Sequence, residues 1–327
     1  MPKILLFLAL ISEKRSNNTT HFIFNTRVYL SIRGPLFLPT LSVGGRRKES
    51  VIGSTTGIRN AETGMNKVQI NSDMGEGFGL YQIGDDQALM PIIDAANVAC
   101  GFHASDPMVM QKTVRLAREH GVAVGAHPSL PDLQGFGRRE MAIGSDELTA
   151  AIIYQTGALK AFLEAEGMTL SHIKPHGALY SMAARDERIA NAVADGAAPF
   201  GVPIYGLPNT FHESVCAARG LGFIAEFFVD LDYDAEGQVI ITRTHDEIAP
   251  EQAAERAYRA VTQGLVRSID GHDVAIRAQT LCVHSDTPNA VAIATTLFEK
   301  LAPIRESSES RPLGGRSPAS SLSHSER

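Results

Sequence analysis

The chain has 327 residues and a mass of 35.2 kDa, room for one large domain or two small ones. It is 44% hydrophobic with a mean hydropathy of −0.04, enough for a sizeable core, yet no apolar run approaches the roughly 18 residues of a membrane span. A formal charge of −6 argues against a nucleic-acid footprint, and three scattered cysteines without a Cys-x-x-Cys argue against a disulfide framework and for a reducing cytoplasm.

Residues 1–64 carry nine Lys/Arg against three Glu and show no sustained helical or strand period. The apolar stretch 4–11 resembles a signal core, but Glu13-Lys14-Arg15 follows where a small-residue cleavage site belongs. The segment reads as a disordered or spurious extension of the reading frame, with Met65 as the functional start. Residues 65–304 are different, with a net charge of −13 and a regular alternation of short apolar runs and longer amphipathic stretches. Strands are predicted at 68–72, 96–100, 122–126, 171–174, 203–206, 223–228 and 280–283. Helical patterns cover 108–120, 145–166, 187–197 and 249–268. Asp106-Pro107 supplies a cap and a first-turn proline, Ser145-Asp146-Glu147 a cap and first-turn acids, and Ala249-Pro250-Glu251 a third start. Residues 305–327 are rich in Ser, Arg, Gly and Pro and read as a disordered tail.

Alternating strands and helices predict a parallel α/β fold. The placement of polar residues selects a closed, seven-stranded (β/α) barrel over an open sheet. Asp73 follows the first strand, His103 the second, His127 the third and His176 the fourth. Glu226 and Asp230 lie near the end of the sixth, and His284 follows the seventh. A barrel brings all these ends to one face, where active sites sit.

Each cluster admits a structural reading beside a functional one. The run 71–79, with Asp73 and Glu76 among three glycines, is either a tight turn or a loop whose amides approach a ligand, and it is not a P-loop. His103 and Asp106 straddle a helix start, where Asp106 alone would be a cap. His127 is stiffened by Pro128, and Arg138 with Arg139 in the same loop is either surface charge or a carboxylate or phosphate contact. In Lys174-Pro175-His176, two side chains on an extended segment point the same way, and a lysine closing an apolar strand enters a partly dry site. Asp73, His103, His127 and His176 have the residue types of a zinc or other divalent site, but no diagnostic ligand spacing, and no tightly bound cofactor is expected.

Five blocks, 71–79, 97–107, 125–139, 174–180 and 282–288, together resemble the LamB/YcsF family of 5-oxoprolinase A subunits, in order and spacing, from residue 68 to about 301. The resemblance implies a TIM-like barrel related to glycoside hydrolases and deacetylases. It also implies ATP-dependent opening of the 5-oxoproline lactam to L-glutamate, within a complex with subunits B and C. ATP, with Mg2+, is then a co-substrate. Three positions depart from the family pattern: Leu231 stands where arginine is usual, and Ser105 and Ser285 where glycine is usual. Leu231 would remove an anion contact, and serine at a positive φ would cost about 1 kcal/mol.

The nominated catalytic set is Asp73, Glu76, His103, His127, Lys174 and His176, and the binding set is Asp106, Arg138, Arg139, Glu226, Asp230, His284 and Asp286. Lys174, Arg138 and Arg139 are the cations for a phosphate or oxyanion, and the histidines and carboxylates the bases for water. Two rival readings differ in class. One is a metal-dependent amidohydrolase or deacetylase working without ATP. The other is a non-catalytic component that presents 5-oxoproline to its partners.

Overall fold

A computed structural model describes residues 68–309 except 241, 243 and 245; the readings of 1–64 as an extension and of 310–327 as tail lie outside the described residues. Seven parallel strands close into a barrel: β1 (Gln69–Met74), β2 (Ala95–Ala99), β3 (Ala123–His127), β4 (Leu170–Ile173), β5 (Ile204–Gly206), β6 (Phe223–Phe228) and β7 (Thr280–Val283). Each pairs with its sequence neighbours, and β7 closes the ring against β1, with Gln69 opposite Thr280 and Ile70 opposite Leu281. All seven expected strands are present. β2 and β7 are buried at every position, as strands covered on both faces must be, which explains their apolar runs.

Eight α-helices are seen among the described residues: α1 (Asp86–Leu89), α2 (Pro107–His120), α3 (Ser145–Ala165), α4 (Gly177–Arg185), α5 (Glu187–Ala197), α6 (Phe211–Arg219), α7 (Pro250–Gln263) and α8 (Ala290–Glu309). Asp106 caps α2 by accepting from the amides of Met108 and Val109, with Pro107 at the first position. The expected cap at Ser145 is not one; Gly144 precedes α3 without a side-chain bond, and Ser145 is already helical. The helix expected to reach 268 stops five residues early. Gly264 at φ +66 terminates α7, and Leu265–Arg267 becomes a strand paired with Asp273–Ala275. The expected tail boundary at 305 is also corrected. α8 runs through Pro303 to Glu309, and Arg305 Nη2 reaches Asp94 Oδ1 at 2.6 Å, while Asp94 Oδ2 accepts from the amide of Ile70 at the start of β1. No helix among the described residues is long and apolar enough to cross a membrane.

The barrel interior below its mouth is a polar ladder. Asn97 Nδ2 donates to Asn71 Oδ1 and to Asp73 Oδ1, both at 2.8 Å, and His172 Nε2 meets Asn97 Oδ1 at 2.7 Å. His172 stacks on Tyr205, with ring centroids 3.9 Å apart. Gly125 makes room for this ring, since a Cβ there would overlap the His172 imidazole. Burial, with the nearby Lys174 charge, pushes His172 down to about 3, so it is a neutral structural group.

Candidate functional site

The C-terminal ends of the strands bring most of the nominated residues to one mouth, as a parallel barrel requires. At its floor lies Lys174, just past β4 and 2% exposed. Its Nζ donates to Asp73 Oδ1 at 2.9 Å, lies 3.0 Å from Glu226 Oε1, and approaches Cys282 Sγ at 3.1 Å. Burial would strip the ammonium of its proton, but the Asp73, Cys282 and Glu226 side chains outweigh it and hold the pKa well above the ordinary lysine value. Lys174 is therefore a fixed cation. Burial likewise pushes the Asp73 carboxyl up, and the His127 and Lys174 charges overcome it, so Asp73 sits well below the usual carboxylate range. Glu226, in mid-strand and fully buried, pairs with Lys174 beneath the mouth.

Beside the floor, four buried side chains converge: Glu76 from the loop after β1, His103 after β2, His127 at the end of β3 and His176 at the start of α4. His127 Nδ1 lies 2.8 Å from the carbonyl of Lys174 and its Nε2 3.2 Å from Asp73 Oδ2. His176 Nε2 lies 2.8 Å from the carbonyl of Phe136, and its Nδ1 2.9 Å from His127 Nε2. His103 stacks on His176 with centroids 3.7 Å apart, and its Nε2 is 3.2 Å from Glu76 Oε1. Burial pushes His103 and His176 well below the normal histidine value. Burial and the charges of Asp73 and Asp286 push Glu76 well above the carboxylate range.

The opposite wall is His284, following β7. Asp230 Oδ1 receives its Nδ1–H at 3.0 Å, while Asp230 Oδ2 accepts from the His284 amide and from Thr287 Oγ1, each at 2.9 Å. That fixes the tautomer and turns Nε2 toward Asp73 Oδ2, 3.9 Å away. Burial pulls the His284 pKa down, but the Asp230 charge and hydrogen bond prevail and leave it raised above 6.5. Arg138 closes the mouth, its Nη1 2.8 Å from Asp286 Oδ2 and its guanidinium 5.0 Å from the centre of the Phe136 ring.

Asp73, His127, Arg138, Lys174, His176 and His284 line a cavity of about 20 Å³, room for about one water. Arg138 and Tyr180 also border a neighbouring groove of about 330 Å³, at the lower end of small-ligand sites.

Two nominated binding residues are structural. Asp106 is taken up by the amides of Met108, Val109 and Gly79, so its oxygens brace α2 and the glycine loop. Arg139 holds Asp132 of its own loop through Nε at 2.9 Å and through Nη2. The glycine loop is not an anion cradle in the sense expected: Asp86 Oδ2 accepts from Gly75 N, Asp106 Oδ2 from Gly79 N, and Tyr81 O from Phe78 N.

Ser105 does adopt φ +75, the strained region expected of a glycine position. Ser285 does not; there Gly84 gives way, since a Cβ on it would lie 2.7 Å from Ser285 Cβ. Leu231 packs in the apolar core, and the cation near this segment is Arg256 of α7, donating to the Leu231 carbonyl at 2.6 Å and to Asp232 at 2.9 Å.

Sequence reasoning passed over Asn97, His172, Tyr180 and Cys282 as site neighbours. Asn97 and His172 are polar residues inside strand runs, where a buried partner is required, and that was the available signal.

The profile of the LamB/YcsF family matches residues 68–312. The 5-oxoprolinase A subunit of Symbiobacterium thermophilum is 48% identical over 240 residues, spanning 72% of this chain and 92% of that protein. The lactam utilization protein lamB of Emericella nidulans is 45% identical over 234 residues, 70% of this chain and 92% of that protein. The crystal structure of a lactam utilization protein from Thermus thermophilus superposes with a TM-score of 0.68 at 46% identity, over 72% of this chain and 96% of the other. A match that runs through every strand of the barrel at this level of identity means that the chain belongs to the LamB/YcsF family.

Proposed function

We propose that this chain is the A component of a multi-subunit 5-oxoprolinase, opening the lactam of 5-oxoproline to L-glutamate in an ATP-dependent reaction with subunits B and C in the cytoplasm. The substrate comes from the names of the relatives, which are 5-oxoprolinase A subunits and a lactam utilization protein. The observation that carries the chemistry is the Asp230-oriented His284 facing a one-water cavity beside Lys174 and Arg138.

A five-membered lactam is an unstrained amide whose opening is unfavourable near neutral pH, so ATP supplies the drive by phosphorylating the lactam oxygen. Water then adds to the ring carbon. His284 Nε2 takes the proton from that water, and Asp230 stabilises the imidazolium that results. The fixed charge of Lys174, with Arg138 at the rim, faces the negative charge that develops on oxygen. Breaking the C–N bond returns that proton to the nitrogen that becomes the amino group and leaves γ-glutamyl phosphate, which a second water hydrolyses to glutamate and inorganic phosphate. No Gly-x4-Gly-Lys-Ser/Thr occurs in the chain, and the glycine-loop amides at Gly75, Phe78 and Gly79 are already bonded, so in this reading ATP and its Mg2+ are held largely by the partners.

Glutamate release and ATP consumption, measured for this chain alone and with the partner subunits, test the reading. Both should require the partners, and His284→Gln should cost about 10²–10⁴-fold in glutamate release. Lactam opening by the chain alone without ATP would refute the ATP dependence. Unaltered turnover by His284→Gln, in an intact complex, would favour a component that only presents substrate.

A further inference from the structure

Tyr180 carries a buried hydroxyl for which the fold alone supplies no use. It is the fourth residue of α4, and a helical side chain leans toward the N-terminus of its helix, here toward His176 and Gly177 at the barrel mouth. His212 and Phe228 hold the ring edge-on, with centroids 4.6 and 5.3 Å away. The hydroxyl neighbours the Glu226 carboxylate, and burial with that charge raises the phenol well above its ordinary pKa, so it keeps its proton. Among the described residues, Tyr180 Oη and both Glu226 oxygens are buried without a well-formed hydrogen bond, Glu226 having only its ion pair with Lys174. A buried carboxylate is the stronger acceptor, so the phenolic proton belongs to Glu226 and the lone pairs of Oη are left for another donor. Of the described residues, Tyr180 and Arg138 alone border both the one-water cavity and the larger groove beside it.

We propose that Tyr180 accepts a hydrogen bond from the ring N–H of the substrate and so selects a lactam over other five-membered cyclic acyl compounds. The inference rests on the lactam reading and adds to it the group that recognises the amide nitrogen. A ring lying in the groove with its acyl carbon at the cavity meets both shared side chains. A cyclic amide presents an acceptor and a donor on adjacent atoms of its amide group. The cation Arg138, with Lys174 behind it, suits the carbonyl oxygen and leaves the Tyr180 lone pairs for the N–H. The five-membered lactone with the same carboxylate would turn a ring oxygen, a second acceptor, against Oη. A site built around an N–H rejects the analogue that lacks it. A phenol that donated to the carbonyl oxygen would leave Glu226 without a hydrogen-bond donor and would not tell lactam from lactone.

The complex of the full chain with subunits B and C, without ATP, is titrated calorimetrically with 5-oxoproline and with that lactone, for the wild type and for Tyr180→Phe. The wild type should bind the lactam about tenfold or more tighter than the lactone. Tyr180→Phe keeps the ring and its packing, and should bring the ratio to within about twofold, chiefly by weakening the lactam. A loosened fold would weaken both ligands together, so the ratio isolates the hydrogen bond. If Tyr180→Phe does not assemble, Glu226→Gln, which frees the phenolic proton to turn to the ligand, should shrink the same ratio. Equal binding of the two ligands by the wild type, or an unchanged ratio in an assembled variant, overturns the proposal. Glutamate release by the same complex with ATP tests the reading beneath it. Turnover with an unchanged ratio removes only the role of Tyr180, whereas a wild type that neither binds nor opens the lactam removes both.

Discussion

Lys174 shows how a side chain's place can be legible in sequence while its energetics depend on its neighbours. The sequence points it at the barrel mouth with His176, and both line the same cavity. A lysine in a dry site, taken alone, suggests that deleting its charge would cost the fold little. Its position between Asp73 and Glu226 reverses that. Lys174→Met leaves two carboxylates buried without their cation, a loss of about 3–5 kcal/mol. Denaturant unfolding should show this directly, and an unchanged midpoint would mean that water reaches the carboxylates. A second prediction concerns His284, which faces Asp230, Asp73 and Lys174 and stacks on Phe228. Neutral His284 is the base, so glutamate release should rise with pH through an apparent pKa above about 6.5. Asp230→Asn removes the charge that raises this pKa, so the acidic limb of the pH–rate profile should move to lower pH while the maximum rate falls. A limb that stays in place would assign it to another group. The sign for stability is the opposite: a raised histidine pKa contributes fully below about pH 6.5, and the contribution is lost as pH rises through the folded value. At Leu231, burial in the core means that Leu231→Arg should lower stability by desolvating a guanidinium, and should not restore an anion contact.

Among the elements, the loop from Pro128 to Arg139 holds the cluster together. Its carbonyls at Pro128 and Gly137 accept from the amides of His176 and Ala178, tying the loop after β3 to the start of α4. Gly137 has φ +65, and a Cβ there would stand 2.7 Å from His176 Cδ2 and 2.8 Å from His103 Cβ. Gly137→Ala therefore strains the backbone by about 1–2 kcal/mol and pushes two rings out of register. The expected outcome is a folded protein with slow turnover, checked by glutamate release and circular dichroism on the same sample. At the other end of the chain, the last turns of α8 belong to the fold. A chain ending at Ile304 loses the Arg305–Asp94 contact and should be less stable than one ending at Glu309 by about 1.5–3 kcal/mol, the scale of a charged hydrogen bond. Equal melting temperatures would show that Asp94 finds another donor. The overrun of α7 has an equally local cause. The helical period continues past Gly264, but glycine at a positive φ ends the helix, and Leu265–Arg267 pairs with Asp273–Ala275.

Across the full barrel, closure turns a series of loops into a site. Asp73 and Lys174 are 101 residues apart and His284 lies 54 from Asp230. Each pair is nevertheless in contact, because the ring closes with β7 between β6 and β1 and all strand ends face one mouth. The strands, four of the helices, the barrel and the residues at its mouth were legible in the chain alone. Those features are written locally, in apolar runs, Asp-Pro and glycine punctuation, and polar residues placed just past strand ends. Which of those residues meet was decided by packing in three dimensions. Packing gave Lys174 to two carboxylates, Asp106 to helix amides and Arg139 to its own loop. It joined His284 to Asp230 and set the facing ring nitrogens of His127 and His176 2.9 Å apart. The reason is physical: a strand's period fixes the face on which a side chain emerges, whereas its partner and its charge state depend on burial and on groups that chain spacing does not encode.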